Sequence, residues 1–567
     1  MKDNVKNTPD LIKAKRRSSA PTHFIYPDLK YTSDMLAFLS GKKFYIHTYG
    51  CQANVRDEET MRSLLDGVNM TSTDNPNEAD VIIINTCAVR ENAEDKVYGE
   101  IGNLKHLRQK NKDIVLAICG CMIEQPEILE RVMNTFKEVN LIFGTHEIYQ
   151  LVFLLVEVMR NKTRIIAVES KEGEVIEVNP VIRNNPCKAY VNIMYGCDKF
   201  CTYCIVPYTR GKERSRRFLD VKKETEELFN QGYQEVTFLG QNVNAYGKDL
   251  DEGYDFADVL EMAAKIGIPR IRFTTSHPWD FTDKMIDVIA KYPNIMKFIH
   301  LPVQSGSSEI LKLMGRRYTR EDYLALVKKM RERIPGLTLS TDIIVGFPNE
   351  TEEQFNETLT LVDEVKYEAA FTFIYSPRRG TPAARMEDKV SYEDKSRRFQ
   401  NLVKHLEVHI EHDAKAQVGK ILLVLVDGPS KNDPEMYSGY TENNKLVHFK
   451  ATPNDIGRII PVKILESHTY SLIGEIVKDV IIEATLELKE ALKDREEYKE
   501  YIRLKSLYEQ SEEIKELIIK INNSKAGSDE YNCLMEEYNN HPLVSNYKQA
   551  EEEYRALLRN ISTIIGK

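Results

Sequence analysis

Six of the nine cysteines in this chain of 567 residues fall into two sets of three. One set is compact and lies in the string CDKFCTYC: Cys197, Cys201 and Cys204. The other set is dispersed along the chain: Cys51, Cys87 and Cys121. Three thiolates hold three irons of a four-iron cubane and leave the fourth iron without a protein ligand. Such an iron can bind a substrate, so two sites of this kind suggest that one generates a reactive species and the other delivers an atom.

The spacing of the compact set favours an iron–sulfur cluster. A C-x-x-C pair alone is compatible with zinc or with redox chemistry. Here the spacing is three residues and then two, with Tyr203 directly before the last cysteine. A structural zinc ion takes four ligands, commonly in two pairs, and no further nearby Cys or His fits that pattern. Zinc is therefore the alternative that we weigh against the cluster.

Length and composition indicate a folded protein of several domains, because single cores rarely exceed about 250–300 residues. The apolar and charged fractions, 42% and 29%, are ordinary for a globular chain. The N-terminus has no apolar segment typical of a signal peptide, and the best apolar stretch, 151–159, is too short to cross a membrane. Clustered thiols without an export signal predict a cytoplasmic location and argue against a disulfide framework.

The net charge of −9 leaves RNA binding open, because the charge is unevenly distributed. Residues 481–567 carry 18 acidic and 13 basic side chains, which leaves a net charge of −4 for the rest of the chain. Basic clusters lie within that nearly neutral part: 13–17, 209–217 and 314–320. A single basic cluster is more often a solvated face than an RNA site.

Residues 41–160 have the alternating pattern of a parallel α/β domain, after a disordered lead-in over 1–40. The predicted strands are 43–49, 79–86, 113–119 and 140–144, and the predicted helices are 57–66, 91–109 and 124–136. Each dispersed cysteine follows one of the first three strands, and the C-terminal ends of parallel strands meet at one edge of a sheet. We therefore expect these thiols to converge, with three unrelated buried thiols as the alternative.

A second α/β domain is predicted over 183–413, because a strand–helix unit repeats six times there. The predicted strands are 189–196, 235–240, 270–276, 298–304, 337–347 and 369–376. Six units predict an open or partial β/α barrel with its chemistry at the C-terminal strand ends. The compact cysteine set follows the first of these strands.

Two smaller segments complete an α/β multidomain chain. Residues 415–480 contain short β-like runs separated by Gly, Pro, Asn and Asp, which predict a small antiparallel β-barrel. Residues 481–567 are rich in Glu and Lys with spaced Leu, Ile and Tyr, which predicts a helical extension. The apolar stripe of those helices is interpreted as a packing face and not as a cofactor site.

The string MYGCDKFCTYCIVPYTRG, residues 194–211, resembles the signature of radical S-adenosylmethionine (AdoMet) enzymes. In that family the open iron chelates AdoMet, and one electron from the cluster cleaves it to methionine and a 5′-deoxyadenosyl radical. Removing hydrogen from an unactivated C–H bond needs such a radical, and no side chain supplies one. The resemblance implies that Cys197, Cys201 and Cys204 are the catalytic cluster ligands.

Segments 239–247, 301–307 and 340–348 resemble the parts of the family that bracket AdoMet. The implied cofactor contacts are Tyr203, Gly240, Gln241, Asn242, Gln304, Ser340 and Asp342. Ordinary strand-end packing and capping is the alternative for each. The basic residues after the motif are candidates to meet phosphate or the AdoMet carboxylate: Arg210, Lys212, Arg214 and Arg216.

The strings YGCQAN, NTCAVRENAEDKVYG and GCMIEQ resemble the methylthiotransferase branch, in which they hold an auxiliary cluster. Cys119 departs from the family pattern, and Cys121 is preferred as the ligand because Gly120 precedes it. Together with FLGQNVNAYG, these strings are similar to the MiaB-type tRNA enzymes. Residues 415–480 resemble the RNA-binding TRAM module, with a plain packing barrel as the alternative, and 541–561 are similar to the YlbF/YmcA-like helical family.

The resemblance implies transfer of a methylthio group to carbon 2 of isopentenyl-adenosine at position 37 of tRNA, with two AdoMet and two 4Fe–4S clusters. It implies tRNA and an electron donor such as a flavodoxin or ferredoxin as partners, and self-association or a protein partner for the C-terminal helices, without membrane or DNA. Two alternatives stay open. One is the same chemistry on threonylcarbamoyl-adenosine tRNA or a ribosomal protein, and the other is an RNA-binding assembly protein with sensory clusters.

Overall fold

The structure is a computed structural model that describes residues 21–88, 91–168, 174–178, 182–431, 433, 435–477, 488, 491–524 and 528–565. The chain divides into two compact units, Met1–Ile476 and Val477–Lys567. Among the helices of the described residues, none is both long and apolar enough to cross a membrane. The predicted fold class, with its parallel sheets, closed β-barrel and helical extension, is confirmed.

The first domain is a six-stranded parallel sheet with helices packed against it. The sheet has the order β3-β2-β4-β5-β6-β7, where the strands are β2 (Lys43–Thr48), β3 (Thr71–Ser72), β4 (Val81–Thr86), β5 (Val115–Gly120), β6 (Leu141–Phe143) and β7 (Ile165–Ala167). Its helices are α1 (Ser33–Leu39), α2 (Gln52–Asp66), α3 (Glu91–Lys110), α4 (Pro126–Thr135) and α5 (Leu151–Asn161). Every residue of β4 and β5 is buried, as expected for the centre of a parallel sheet covered on both faces.

Residues 21–40 carry regular elements where the sequence predicted a disordered lead-in. Strand β1 (His23–Ile25) pairs in parallel with β8 (Glu174–Ile176), and Thr32 caps α1. That helix has only seven residues and fully buries only Leu39, so it is too short to give a periodic signal. Residues 1–20 of the predicted lead-in lie outside the described residues.

The second domain is a partial barrel made from two three-stranded parallel sheets, β9-β12-β13 and β14-β15-β16. A β-bridge joins Ile271 of the first sheet to Ile295, in the segment that leads into the second sheet. The strands are β9 (Lys188–Asn192), β12 (Glu235–Leu239), β13 (Arg270–Phe273), β14 (Phe298–His300), β15 (Thr338–Val345) and β16 (Ala369–Ile374). A short antiparallel pair stands beside the first strand: β10 (Met194–Tyr195) and β11 (Arg214–Ser215).

Helices cover the outer face of the barrel strands and bury the largest apolar cluster of the chain against them. The short helix α6 (Val206–Thr209) packs instead in a small cluster with Cys121. The covering helices are α7 (Phe218–Asn230), α8 (Phe256–Ile266), α9 (Asp283–Lys291), α10 (Ser308–Leu313), α11 (Arg320–Arg333), α12 (Glu352–Val365) and α13 (Tyr392–Lys415). The inner face of the strands is therefore the side that does not contribute to this cluster.

The third domain is a closed five-stranded barrel with the order β17-β18-β19-β21-β20. Its strands are β17 (Ile421–Pro429), β18 (Tyr437–Thr441), β19 (Leu446–Phe449), β20 (Ile459–Ser467) and β21 (Ser471–Ile476). Two arginines of β13 attach it to the partial barrel. Arg270 donates to the carbonyls of Leu423 and Tyr440, and Arg272 donates to the carbonyl of Thr441.

The second unit is helical. Its helices are α14 (Glu496–Gln510), α15 (Glu512–Asn523), α16 (Asp529–Asn540) and α17 (Pro542–Ile565). Tyr501 stacks on Tyr547 and Tyr554 between the first and last of these helices, and Leu504 and Val544 are buried beside them. The apolar stripe in this part of the sequence is thus used for helix packing, as predicted.

Candidate active site

The dispersed cysteines lie at one edge of the first sheet, where three strands end. Cys51 is the N-cap of α2, Cys87 follows β4, and Cys121 follows β5. The Cys51 and Cys87 side chains are within hydrogen-bonding distance of each other, and Cys51 interacts electrostatically with Cys121. The structure therefore brings these three thiols together.

The loop that carries Cys51 lies close to Cys87, and this close approach depends on Gly50. Gly50 has a φ of +129°, and a Cβ atom placed on it would lie 2.5 Å from the Cβ of Cys87. No real Cβ can occupy that position, and an L-residue is also strained at this φ. Gly50 thus allows the Cys51 loop to contact Cys87.

We expect Gly50→Ala to lose about half of the iron and acid-labile sulfide, because one of two four-iron clusters loses its geometry. AdoMet cleavage in the absence of tRNA should stay intact, since the compact cysteines are in another domain. Iron and sulfide analysis of anaerobically purified protein measures this. Gly41→Ala is the matched control, because Gly41 has a φ of +78° and open space around its Cα. Equal iron loss in both variants, or none in Gly50→Ala, would contradict the role of Gly50.

A buried arginine links the dispersed cysteines to the second domain. Arg210 follows the compact cysteine motif, and its Nε donates to the Sγ of Cys121 at 2.9 Å. Its Nη2 donates to Asp57 at 2.8 Å. Burial alone would lower the pKa of Arg210, but Asp57 and the two thiols Cys121 and Cys51 raise it well above its ordinary value. The guanidinium therefore stays charged beside the sulfur atoms.

The three thiols differ in their electrostatic environment. The hydrogen bond with Cys87, together with Arg210 and backbone N–H groups at the start of α2, lowers the pKa of Cys51 to about 5. Burial raises the pKa of Cys121 to about 12, although Arg210 acts in the opposite direction. Iron binding removes the proton from a thiol of either kind, because the thiolate is the ligand.

Cys119 points away from this group. It lies within β5 in the apolar core, with its Sγ 3.8 Å from the Sδ of Met61. Burial raises its pKa well above the ordinary value. The surroundings of Cys121 and not those of Cys119 are thus the ones that suit a cluster ligand.

The compact cysteines lie in the loop that follows β10. Gly196 opens this loop with a φ of +72°, and an added Cβ would lie 2.0 Å from the carbonyl oxygen of Lys212. Backbone hydrogen bonds hold the middle of the loop, from Thr202 to Met314 at 2.8 Å and from Ala383 to Thr202 at 2.9 Å. Segments distant in sequence therefore fix the position of the motif.

Of the compact cysteines, Cys201 is buried, and Cys197 and Cys204 are half-buried. Burial raises the pKa of Cys204 to about 12 and that of Cys197 well above its ordinary value. Arg316 places its Nη1 3.7 Å from the Sγ of Cys201. The guanidinium is held by donating to the carbonyl of Pro302 at 2.6 Å.

Both cysteine groups fit a 4Fe–4S cluster in donor chemistry. Each offers three buried or half-buried thiols, and each has an arginine N–H close to one sulfur, the type of hydrogen bond that tunes such clusters. In the described residues, no three Cys, His, Asp or Glu side chains are placed to hold a single metal ion. In a cubane each thiolate binds a different iron, so its ligands need not converge on one point.

Several residues expected to contact AdoMet lie around the C-terminal strand ends. Ser340 and Asp342 share the inner face of β15, and both contact His300, at 2.9 Å and 3.5 Å. Asn242 is buried and donates to Asp280 at 2.8 Å, while its Oδ1 has no partner among the described residues. Gln304 has a φ of +77°, which its backbone hydrogen bonds with β15 maintain.

The other three residues predicted to contact AdoMet pack against, or hydrogen-bond to, neighbouring parts of the protein. Tyr203 packs in an apolar cluster with Phe347 and Tyr375. Gln241 accepts a hydrogen bond from the backbone N–H of Gly196 at 2.5 Å, and so supports the cysteine loop. Gly240 lies against Met194, whose Cγ would be 2.6 Å from an added Cβ.

The four basic residues that follow the compact motif, predicted as candidates to meet phosphate or the AdoMet carboxylate, lie in the interior of the protein. Arg210, Lys212, Arg214 and Arg216 are all buried. Arg216 is held by the carboxylates of Glu177 and Glu224 at 2.6 Å, and Arg210 by Asp57. Sequence analysis also missed Arg316, which belongs to the basic cluster 314–320. The only available signal was charge, which does not distinguish a solvated cation from a buried one.

Family models match four parts of the chain. Residues 191–362 match the Radical SAM superfamily and residues 415–477 match the TRAM domain. Residues 43–144 match the model described as Uncharacterized protein family UPF0004, and residues 481–567 match Control of competence regulator ComK, YlbF/YmcA. Together with the cysteine groups and the partial barrel, these matches define a radical SAM enzyme.

Similarity to curated relatives shows which family of radical SAM enzymes the chain belongs to. The chain is 52% identical over 474 residues to the tRNA-2-methylthio-N(6)-dimethylallyladenosine synthase of Anoxybacillus flavithermus, covering 83% of this chain and 90% of that one. It is 53% identical over 475 residues to the synthase of Oceanobacillus iheyensis, with coverage of 84% and 91%. The synthase of Staphylococcus epidermidis is 50% identical over 481 residues, with coverage of 84% and 93%. The chain belongs to the family of tRNA-2-methylthio-N(6)-dimethylallyladenosine synthases, which confirms the MiaB-type resemblance.

Proposed function

We propose that this enzyme transfers a methylthio group to carbon 2 of isopentenyl-adenosine at position 37 of tRNA, with its two cysteine groups in different roles. Cys197, Cys201 and Cys204 hold the cluster that binds AdoMet. Cys51, Cys87 and Cys121 hold the auxiliary cluster. The observation that carries this assignment is the contact of Arg210, which follows the first group in the chain, with Cys121 of the second.

The cofactors supply the reactive groups, and the chain positions them. When bound, AdoMet and the two clusters supply a 5′-deoxyadenosyl radical that removes hydrogen from carbon 2 and the methylthio sulfur that replaces it. Asn242 and Gln304 present polar groups to the AdoMet side of the barrel, with Ser340 and Asp342 on the adjoining strand. Arg210 holds the loop after the first cysteine group against Cys121, so that both groups serve one cavity.

The tRNA must present one atom of one base to this cavity. Position 37 lies beside the anticodon, and a base reaches an enclosed site only when it leaves its stack. The closed barrel of residues 415–477 matches an RNA-binding module and is attached to the partial barrel through Arg270 and Arg272. We assign to it a contact with the tRNA outside the modified base.

The working division of the chain is an auxiliary-cluster domain (41–160), a radical SAM domain (183–413), a TRAM domain (415–480) and a helical domain (481–567). A flavodoxin or ferredoxin is the proposed electron donor, and the helical domain is the proposed site of self-association or of a protein partner. The proposed location is the cytoplasm, where reduced clusters and tRNA are available.

Two cysteine variants test the assignment of roles. Cys201→Ala should abolish both AdoMet cleavage and 2-methylthio formation, because it removes a ligand of the cluster that binds AdoMet. Cys121→Ala should abolish 2-methylthio formation and leave AdoMet cleavage in dithionite largely intact. Mass spectrometry of tRNA nucleosides and assay of 5′-deoxyadenosine measure the two products. Methylthiolation by either variant, or loss of AdoMet cleavage in Cys121→Ala, would refute the division of roles.

A further inference from the structure

Two phenylalanines on the inner face of the partial barrel are exposed to solvent. Phe371 and Phe373 of β16 are 54% and 39% exposed. Ala370 and Ile374 of the same strand pack against the core on the helix side, so the two phenylalanines lie on the opposite face. Because β16 is the end strand of its sheet, this face stands at the lateral opening of the barrel.

The strand register places these rings beside the residues proposed to contact AdoMet. Phe371 is paired with Asp342, and Ala369 is paired with Ser340. The rings of Phe371 and His300 meet edge-on with centroids 5.9 Å apart, and His300 is hydrogen-bonded to Ser340. A substrate that faces AdoMet in this barrel would therefore have Phe371 and Phe373 within its reach.

The two rings differ in exposure from the other apolar side chains of the inner face. Tyr190, Leu239 and Ile344 also alternate onto that face but are buried or half-buried. The remaining inward positions that flank them are polar: Asn192, Thr237, Arg272, His300, Ser340 and Asp342. Two exposed aromatic rings in such a lining are suited to an apolar or planar group that arrives from outside. The substrate adenosine carries both kinds of group, a planar base and a branched five-carbon chain on its N6.

We propose that Phe371 and Phe373 form the wall that recognises the five-carbon group of the substrate adenosine. This inference rests on the proposed function and names the residues that select its substrate. The wall also rejects the carboxylate of a threonylcarbamoyl group or of a protein aspartate, because that charge would lie beside apolar rings and the Asp342 carboxylate. Phe371 and Phe373 are thus specificity-determining residues.

The test compares two tRNA substrates and one reaction without tRNA. Phe371→Ala, Phe373→Ala and the double variant are assayed with tRNA that carries isopentenyl-adenosine and with tRNA that carries unmodified adenosine at position 37. AdoMet cleavage in dithionite without tRNA is measured in parallel. We expect each single variant to raise KM for the isopentenylated tRNA about tenfold, the effect of lost apolar contact in a pocket. Cleavage of AdoMet without tRNA should change less than about twofold.

Conservative and remote variants distinguish recognition from a structural effect. Phe371→Leu and Phe373→Leu keep an apolar side chain and should restore most of the preference for isopentenylated tRNA. Phe229→Ala is the matched control, because Phe229 is 42% exposed on the outer helix α7. It should leave both reactions at the wild-type level.

Three results would overturn the proposal. One is an unchanged preference for isopentenylated over unmodified tRNA in the double variant. Another is a fall in AdoMet cleavage without tRNA that matches the fall in methylthiolation, because the rings would then line the AdoMet site. The third is an equal effect of Phe229→Ala. Failure of the proposed function itself is distinguishable, since the wild-type enzyme would then leave isopentenylated tRNA unmodified.

Discussion

Replacing Arg210 with methionine will abolish methylthio transfer while AdoMet cleavage without tRNA continues. The guanidinium donates to Cys121 and to Asp57, and all three groups are buried. Methionine fills a similar volume but leaves the Asp57 carboxylate without its cation, and removing one partner of a buried pair costs about 3–5 kcal/mol. The auxiliary cluster also loses an N–H donor to one of its ligands, which alters its stability and potential.

The measurement has three parts: 2-methylthio nucleoside by mass spectrometry, 5′-deoxyadenosine in dithionite, and iron content. Arg217→Met is the control, because Arg217 is exposed and lies in the same segment. The double variant Arg210→Met with Asp57→Asn removes both charges, so it should retain more iron than Arg210→Met alone. Methylthio transfer above about a tenth of the wild-type rate in Arg210→Met would show that Arg210 only fills space.

The parts of the site that could be predicted from sequence depend on short-range pattern. Strands β4 and β5 are continuous apolar runs, so their position and burial follow from composition. The convergence of Cys51, Cys87 and Cys121 follows from one topological rule, since each stands where a parallel strand ends. The compact cysteine motif could be predicted from the spacing of its three cysteines alone.

The parts that could not be predicted depend on pairing between distant residues. Arg210 meets Asp57 across 153 positions, and Arg216 meets Glu177 across 39. A local basic cluster looks the same whether its partners are water, phosphate or buried carboxylates. Strands β3 and β7 have two and three residues, too few to show an alternating pattern. Tyr203, a residue predicted to contact AdoMet, packs in an apolar cluster, and its position in the motif gave no information on the direction of its side chain.

The relative position of the two cysteine groups depends on Glu224, and its replacement is the second large effect that we expect. The Glu224 carboxylate accepts hydrogen bonds from Arg56 on α2, from Arg183 before β9, and from Arg216 beside β11. Cys51 is the N-cap of helix α2, whereas Arg216 follows the compact motif. One buried carboxylate on α7 thus joins the domain of the dispersed cysteines to the barrel.

Glu224→Gln should lower Tm by about 5 °C and reduce methylthio transfer at least tenfold, with AdoMet cleavage largely retained. The neutral amide leaves the buried Arg56 guanidinium without its carboxylate partner. It also removes one of the two carboxylates that pair with Arg183 and with Arg216, and the two domains then shift against each other. A displacement of about 1 Å between reacting groups is enough to cost roughly a hundredfold in rate. Thermal unfolding and the two product assays measure these effects. Glu226→Gln on the same helix is the control, because Glu226 pairs with Lys222 at the exposed surface.

The pH dependence of the stability difference separates a charge effect from a packing effect. Burial opposes ionisation of Glu224, but Arg216, Arg56 and Arg183 together lower its pKa below the ordinary value. A carboxyl with a lowered pKa in the folded state contributes its full stability above the unfolded pKa of about 4.3 and loses it as the pH falls below that. The Tm difference between wild type and Glu224→Gln should therefore be constant from about pH 8 to 5. A Tm difference that changes steadily within that window would mean that another group titrates together with Glu224 and its arginines. Glu224 alone would then not fix the relative position of the two domains.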